Sequence, residues 1–374
     1  MNNFLQRGWF VSPFVDLFFV CGGAVFALAY LSYITAHSGA LNQASYFTGL
    51  APVLALLLGE THTTATIVAV NQDRKWSVDF RRLSLTAAIY SAAIALAVIL
   101  DCRCALPAVR LYLISVSWHF TRQAYGIVLL YCRKADYVPS AMQRRLWCCL
   151  LHLTMLDWIA VQLSNYLGAK EEIFLLHKLS PLTILPSSVV DVLVWCILVT
   201  GAIVLLDLLR RFIAWRILPP LQAMLVLFSV VLIFLPVGPS VLFQGPIWLY
   251  APALFHGSQY LCVMADRFVQ GVGELDRALV LTRLYAMALV LAVLFFITLP
   301  WLLSVIFSSW GLRFETAVVA VFIAVQVYHM AMDAVMWKRP RAQGIKQATT
   351  KLKLRAGHGR GAIVHGAVTV CLNR

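Results

Sequence analysis

Ser117-Trp118-His119-Phe120-Thr121-Arg122-Gln123-Ala124-Tyr125-Gly126 puts a histidine, an arginine and a glutamine inside a segment otherwise apolar enough to cross a bilayer. Polar groups at such a depth are costly and need a reason. On a helix, His119, Arg122 and Gln123 fall at i, i+3 and i+4 and share a face, while Leu111, Leu113, Ile114, Ile127, Leu129 and Leu130 offer apolar surface to lipid or neighbouring helices. A helix of this kind has something inside a bundle to hold. Three other apolar segments carry comparable histidines, His62, His256 and His329. Whether these four meet is the question the whole chain poses.

Composition sets the class. Of 374 residues, 61% are hydrophobic and 12% charged, with a mean hydropathy of +0.82; a soluble globular domain carries about 25% charge. The expected fold is therefore all-α, a polytopic transmembrane helix bundle. No short charged-then-apolar leader with a small-residue cleavage site stands apart at the start, so Pro13–Ala36 reads as a first span and not as a signal peptide. The formal charge of +14 lies mostly in loops at span ends and in the C-terminal tail, which fits membrane lipid headgroups and orientation, not nucleic acid. Cysteines such as Cys21, Cys148, Cys149, Cys196 and Cys262 sit in apolar runs and behave as small hydrophobes. Cys102 and Cys104 form a lone CxC in a loop, weak evidence for metal or redox chemistry.

At about 20 apolar residues per crossing, about ten spans are expected: Pro13–Ala36, Tyr46–Val70, Leu83–Leu100, Ala108–Tyr131, Leu146–Leu167, Val189–Leu209, Leu218–Val237, Pro246–Met264, Leu279–Phe307 and Phe314–Trp337. Basic residues alternate between the loops as cytoplasmic orientation requires. Arg74, Lys75, Arg81 and Arg82 fill the second loop, Arg133, Lys134, Arg144 and Arg145 the fourth, Arg210, Arg211 and Arg216 the sixth, and Arg267 and Arg277 the eighth. Both termini are then cytoplasmic, in a membrane crossed many times. The domain division is a transmembrane domain over residues 1–337 and a basic, mostly disordered cytoplasmic tail over 338–374. The loop from Gly168 to Ser188, with its apolar run Ile173-Phe174-Leu175-Leu176, is a lid or a plain connector.

With that topology, the spans bearing His62, His119, His256 and His329 all run inward, and the four lie roughly 14 to 21 Å from the cytoplasmic ends of their helices at about 1.5 Å per residue. That is one layer. Imidazole is the commonest side-chain metal ligand, accepted by iron, copper and zinc alike. Glu60 precedes His62, Gln259 follows His256 by three and Asp333 follows His329 by four, positions suited to a further ligand or an acceptor that fixes a ring tautomer. The bland alternative is that each histidine is an interhelical hydrogen-bonding residue, worth about 0.6 kcal/mol. Arg122 either snorkels to the headgroups or is a buried partner for Asp333, Glu60 or a substrate anion. A Gly-rich nucleotide loop, an HExxH helix and a GxSxG elbow are all missing.

Trp118-His119-Phe120-Thr121-Arg122-Gln123-Ala124-Tyr125-Gly126, Phe255-His256-Gly257-Ser258-Gln259-Tyr260 and Tyr328-His329-Met330-Ala331-Met332-Asp333 resemble segments of a loose group of bacterial polytopic membrane proteins with intramembrane histidines. More distantly, they resemble the Brp/Blh type of β-carotene 15,15′-dioxygenase. That resemblance implies a non-haem iron oxygenase acting on a lipophilic small-molecule substrate within the membrane. The expected site has His62, His119, His256 and His329 as ligands, with Glu60, Arg122, Gln123 and Asp333 as catalytic or supporting groups. Two alternatives stand beside it: a bis-histidine haem protein, and a proton-coupled transporter with a buried relay of the histidines, Asp157, Asp333 and Arg122.

Overall fold

The computed structural model describes residues 8–37, 53–72, 78–164, 166, 172–174, 177–179, 182–215, 218–235, 247–269 and 272–336. Apart from one short hairpin and the connecting turns these residues are helical. In chain order the helices are α1 (Pro13–Val20), α2 (Gly23–His37), α3 (Thr61–Gln72), α4 (Val78–Leu100), α5 (Ala105–Lys134), α6 (Ala141–Leu163), α7 (Ser188–Trp215), α8 (Leu221–Phe234), α9 (Ile247–Phe268), α10 (Glu274–Val293), α11 (Leu299–Ile306) and α12 (Phe314–Met336). Five stretches, in α4, α6, α7, α10–α11 and α12, are each long and apolar enough to cross a membrane; α1 with α2, bent by 59°, makes a sixth if the pair is one span. α5 and α9, which carry His119 and His256, fall short of that apolarity because Arg122 and Gln123 interrupt one run and His256-Gly257-Ser258-Gln259 the other.

Several expectations change in detail. The first predicted span is a broken helix, with Gly22 at φ +98°, a conformation only glycine adopts freely, and with the Ser229 hydroxyl 2.9 Å from where a Cβ would stand. In a low-dielectric interior the carbonyls freed by such a break need donors. Ser258 Oγ donates to the carbonyl of Phe19 (2.8 Å), Gln259 Nε2 to that of Val20 (2.9 Å) and Ser229 Oγ to that of Cys21 (2.7 Å). The seventh predicted span is a helix of 14 residues, about 21 Å long and shorter than the roughly 30 Å apolar core of a bilayer. In the Gly168–Ser188 loop, β1 (Glu172–Phe174) pairs antiparallel with β2 (His177–Leu179). The 338–374 tail lies outside the described residues. Met1–Met332 is one packed unit; of the second, Asp333–Arg374, the described part completes α12.

α5 is the central post. Val109, Leu113, Ile127, Val128 and Tyr131 are almost fully buried along it, and Trp158 Nε1 of α6 donates to the Leu113 carbonyl (3.2 Å). Asp16, fully buried, ties the start of the chain to this post: its carboxylate accepts from the backbone N–H of Phe10 (2.7 Å), from that of Val11 (3.0 Å) and from the Tyr131 hydroxyl (2.7 Å). Lys134 closes the end of α5 on Asp266 (2.9 Å) and on the Trp9 carbonyl (3.1 Å). By contrast α4 turns Leu85, Ile89 and Tyr90 outward, the pattern of a lipid-facing helix.

Candidate metal centre

Residues 55–60 before α3 form a π-turn, closed where the backbone N–H and the hydroxyl of Thr61 both donate to the Leu56 carbonyl. The wider turn sets His62, at the start of α3, against α9. The approach requires a glycine on the other side. A Cβ on Gly257 would lie 2.3 Å from the Leu58 carbonyl oxygen and 2.9 Å from His62 Nδ1. Behind His62, Thr64 Oγ1 donates to the Ala288 carbonyl of α10 (2.6 Å).

The four histidines meet. His62, His119, His256 and His329, from α3, α5, α9 and α12, are each 5% exposed or less. His119 Nε2 lies 3.1 Å from His256 Nε2 and 3.2 Å from His329 Nε2. The His62 ring is 4.8 Å, centroid to centroid, from both His256 and His329, and ring nitrogens of His62, His256 and His329 all lie within 4.8 Å of one another. One N–H···N bond accounts for one pair of imidazoles. It does not account for His119 Nε2 lying at hydrogen-bonding distance from two other Nε2 atoms at once, with a fourth ring edge-on and its Nε2 buried without a hydrogen-bond partner among the described residues. Around an ion with bonds of about 2.0–2.1 Å, neighbouring ligand nitrogens stand about 2.9 Å apart at right angles and about 3.4 Å apart in a tetrahedron. The observed 3.1 and 3.2 Å fall between.

The surrounding groups orient these rings. His329 Nδ1 and Thr66 Oγ1 are 2.8 Å apart, and Thr66 is 2.7 Å from the Tyr260 hydroxyl. With Nδ1 donating to Thr66, the lone pair of His329 lies on Nε2 and points to the centre, the tautomer a ligand needs. Gln123 Nε2 donates to the His256 carbonyl (3.1 Å), and the Phe120 ring stacks on His256 with centroids 4.2 Å apart. The histidines open on a cavity of about 40 Å³ whose wall includes Glu60, Tyr112, Phe322 and Gln326. Glu60 is held there by Gln326, whose Nε2 donates to Oε2 (3.2 Å).

The sequence-predicted site residues thus divide. The four histidines and Glu60 gather at one place, and Gln123 touches the backbone of His256. Asp333 is fully buried on α12, one turn beyond His329. Arg122 is exposed, so of its two readings the buried partner for Asp333 or Glu60 is the one that does not hold: with His119 and Gln123 turned inward at i and i+4, residue i+3 falls on the flank of this α5 face, outside the packed seam. Gln259 serves the broken first helix, not the histidines. Asp157 is buried on α6, and neither carboxylate oxygen has a hydrogen-bond partner among the described residues. Cys102 and Cys104 flank Arg103, which holds Asp101 (2.8 Å) and, through those hydrogen bonds, keeps its carboxyl below the ordinary range; neither cysteine joins a metal-capable group among the described residues. Thr66, Gly257, Tyr112 and Gln326 were not singled out from sequence. Only Thr66 and Gly257 left a trace there, as a polar run Thr61-His62-Thr63-Thr64-Ala65-Thr66 and a glycine beside His256.

Comparison with protein-family models, with curated proteins and with solved structures finds no match to this chain.

Proposed function

We propose that the chain is a multi-span membrane protein, of about ten crossings with both termini cytoplasmic, whose four buried histidines hold one transition-metal ion, iron foremost, for an oxidoreductase reaction on a lipophilic substrate. The observation that carries this reading is the approach of His256 Nε2 and His329 Nε2 to within 3.2 Å of His119 Nε2, with ring nitrogens of His62, His256 and His329 within 4.8 Å of one another. Buried polar groups without such a purpose are rare, because each costs free energy when left unsatisfied. Iron held by imidazoles with open positions supplies dioxygen chemistry. The chain contributes the rest. Thr66 fixes the ring of His329, Gln123 holds the backbone of His256, Phe120 and Phe322 give the cavity apolar wall, and Glu60 presents a carboxyl to it for holding or moving a proton.

At roughly 10–15 Å³ per water position, the 40 Å³ cavity admits a diatomic molecule and a few waters. A large lipophilic substrate reaches the centre from the side, through the apolar part of the wall. The same dimensions speak against haem, because histidines in ring contact across a space of this size leave no slab for a porphyrin between two of them. A proton relay is disfavoured by Arg122, which is exposed, and by Asp157, which lacks a hydrogen-bonded connection to the histidines among the described residues.

Metal analysis of protein gently extracted in detergent tests the proposal: close to one equivalent per chain is expected. Less than about one tenth of an equivalent of iron, copper or zinc, with none regained on reconstitution, overturns it.

A further inference from the structure

The cavity beside the histidines lies on one side of them. Phe120 apart, every residue of its wall beyond the imidazoles precedes the histidine of its own segment: Gly59 and Glu60 come before His62, Tyr112 before His119, Ala253 before His256, and Phe322 and Gln326 before His329. The polar groups that brace the site follow instead, with Thr66, Gln123 and Tyr260 each four residues after the histidine of α3, α5 or α9. The four segments therefore pass the centre in the same direction, with a hydrogen-bonded floor on one side of the histidine layer and open space on the other. Gly59 is buried, yet a Cβ built on it meets nothing within 4 Å. In a close-packed interior that is a gap. Glu60 is partly exposed whereas the histidines are 5% exposed or less, so its carboxyl stands between the surroundings and the centre. It belongs to no metal-capable group among the described residues, and the one hydrogen bond its carboxyl makes with them comes from Gln326 Nε2 (3.2 Å). Among the described residues no lysine or arginine lines the cavity.

A carboxyl and a phenol at the edge of an apolar space, with no cation beside them, suit a neutral polar head on a lipophilic tail. We infer that the substrate is a lipophilic alcohol whose hydroxyl donates to Glu60 inside the cavity and whose tail leaves past Gly59 and Ala253. This deepens the reading above and rests on it. Depth selects the head group. In the proposed topology the histidine layer stands near the middle of the membrane and the cavity lies on its outer side. At that depth a hydrogen bond offsets most of the cost of desolvating a hydroxyl, whereas an ammonium, a carboxylate or a phosphate costs far more, and Glu60 repels the last two. A hydrocarbon with no head group has nothing to offer the carboxyl. At roughly 10–15 Å³ per water-sized position, the 40 Å³ space holds the end of such a molecule and not its length, so the tail stays among apolar side chains and lipid.

The test is photolabelling of the whole protein in nanodiscs with a diazirine-bearing dodecanol, the labelled peptides mapped by mass spectrometry and metal content measured on the same samples. Labelling is expected to saturate on the cavity wall, to be displaced by excess dodecanol, and to resist dodecane and dodecanoic acid at equal concentration. Glu60→Leu removes the acceptor and should weaken apparent affinity about tenfold or more, the loss expected of one hydrogen bond to a charged group, while Glu60→Gln keeps part of it. Gly59→Leu fills the gap and should abolish saturable labelling. Metal content should not change in any of the three. Equal displacement by dodecane or by dodecanoic acid overturns the alcohol, and so does wild-type labelling of Glu60→Leu and Gly59→Leu. If Gly59→Leu does not fold, Glu60→Leu and the competitor series decide between the same outcomes. The two readings fail separately: saturable labelling of a wild-type protein that holds no metal overturns the metal centre, whereas one equivalent of metal without saturable labelling overturns the alcohol.

Discussion

Replacing Gly257 by alanine tests the centre from a residue that touches no metal. The new Cβ would start 2.3 Å from the Leu58 carbonyl oxygen and 2.9 Å from the carbon bearing it, whereas ordinary carbon–oxygen contacts begin near about 3.3 Å. Backbone faces backbone here, so no flexible side chain can absorb the clash. Either α9 with His256 or the π-turn leading to His62 has to withdraw by about 1 Å. Metal–nitrogen bonds tolerate about 0.2 Å, so if the proposed site holds an ion, at least one imidazole would be lost to it or would bind poorly. The expected result is a loss of metal affinity of about 10–100-fold, the range seen when ligand support is removed, with a destabilisation of about 1–3 kcal/mol from overpacking. Chelator competition on purified protein measures the first and thermal unfolding in detergent the second. Gly126→Ala is the control, since a Cβ there meets nothing within 4 Å and alanine improves helix propensity by up to about 1 kcal/mol. Wild-type chelator resistance in Gly257→Ala, or equal damage from Gly126→Ala, refutes the close approach of α9 to His62.

Other substitutions separate the roles of neighbouring residues. Thr66→Val removes the acceptor at His329 Nδ1 and should cost about 10-fold or more in metal affinity, with Thr66→Ser restoring it; chelator titration reads both. His119→Ala should abolish stoichiometric metal, while His152→Ala, at an exposed histidine outside the cluster, leaves metal content unchanged by elemental analysis. Asp16→Ala leaves Phe10 N–H and Tyr131 O–H without their acceptor and should lower stability by about 3 kcal/mol, visible as a lower melting temperature. Gln259→Leu strips the donor from the Val20 carbonyl and should cost about 1–3 kcal/mol of stability with metal content retained; loss of metal at unchanged stability would place Gln259 at the centre instead.

What could be read from the chain alone follows physical lines. Hydropathy located the long apolar helices α4, α6, α7, α10–α11 and α12, because burial and lipid both demand runs of apolar residues, and the similar depth of His62, His119, His256 and His329 anticipated that they approach one another. Depth is set by rise per residue, which sequence fixes well. Direction around the helix axis is set by neighbours, and there the reading failed for Arg122, which shares a nominal face with His119 and Gln123 yet lies outside the packed seam. Helix irregularity was also illegible. Nothing in Pro13–Ala36 apart from paired glycines at 22 and 23 signals a 59° bend, because the bend is held by Ser229, Ser258 and Gln259, more than 200 positions later. The π-turn at 55–60 depends likewise on Gly257 across the bundle.

Those irregularities converge on a single short segment, and their convergence explains why Phe255-His256-Gly257-Ser258-Gln259-Tyr260 is so polar. His256 faces the other three imidazoles; Gly257 admits the π-turn that delivers His62; Ser258 and Gln259 hold the carbonyls of the broken first helix; Tyr260 bonds Thr66, which orients His329. Five consecutive residues on α9, His256 to Tyr260, therefore connect α1, α3, α5 and α12 through different atoms. The proposed metal site would need its ligands held to a fraction of an ångström, and a segment that supplies a candidate ligand, a spacer and a joint at once would hold them by geometry. It also means that damage to this segment propagates: a change at Ser258 or Gln259 loosens α1 without touching a ligand, whereas a change at Gly257 or Tyr260 moves rings on other helices. The polarity that draws attention to this segment as chemistry is, in three of its six residues, the support that keeps the histidines in place.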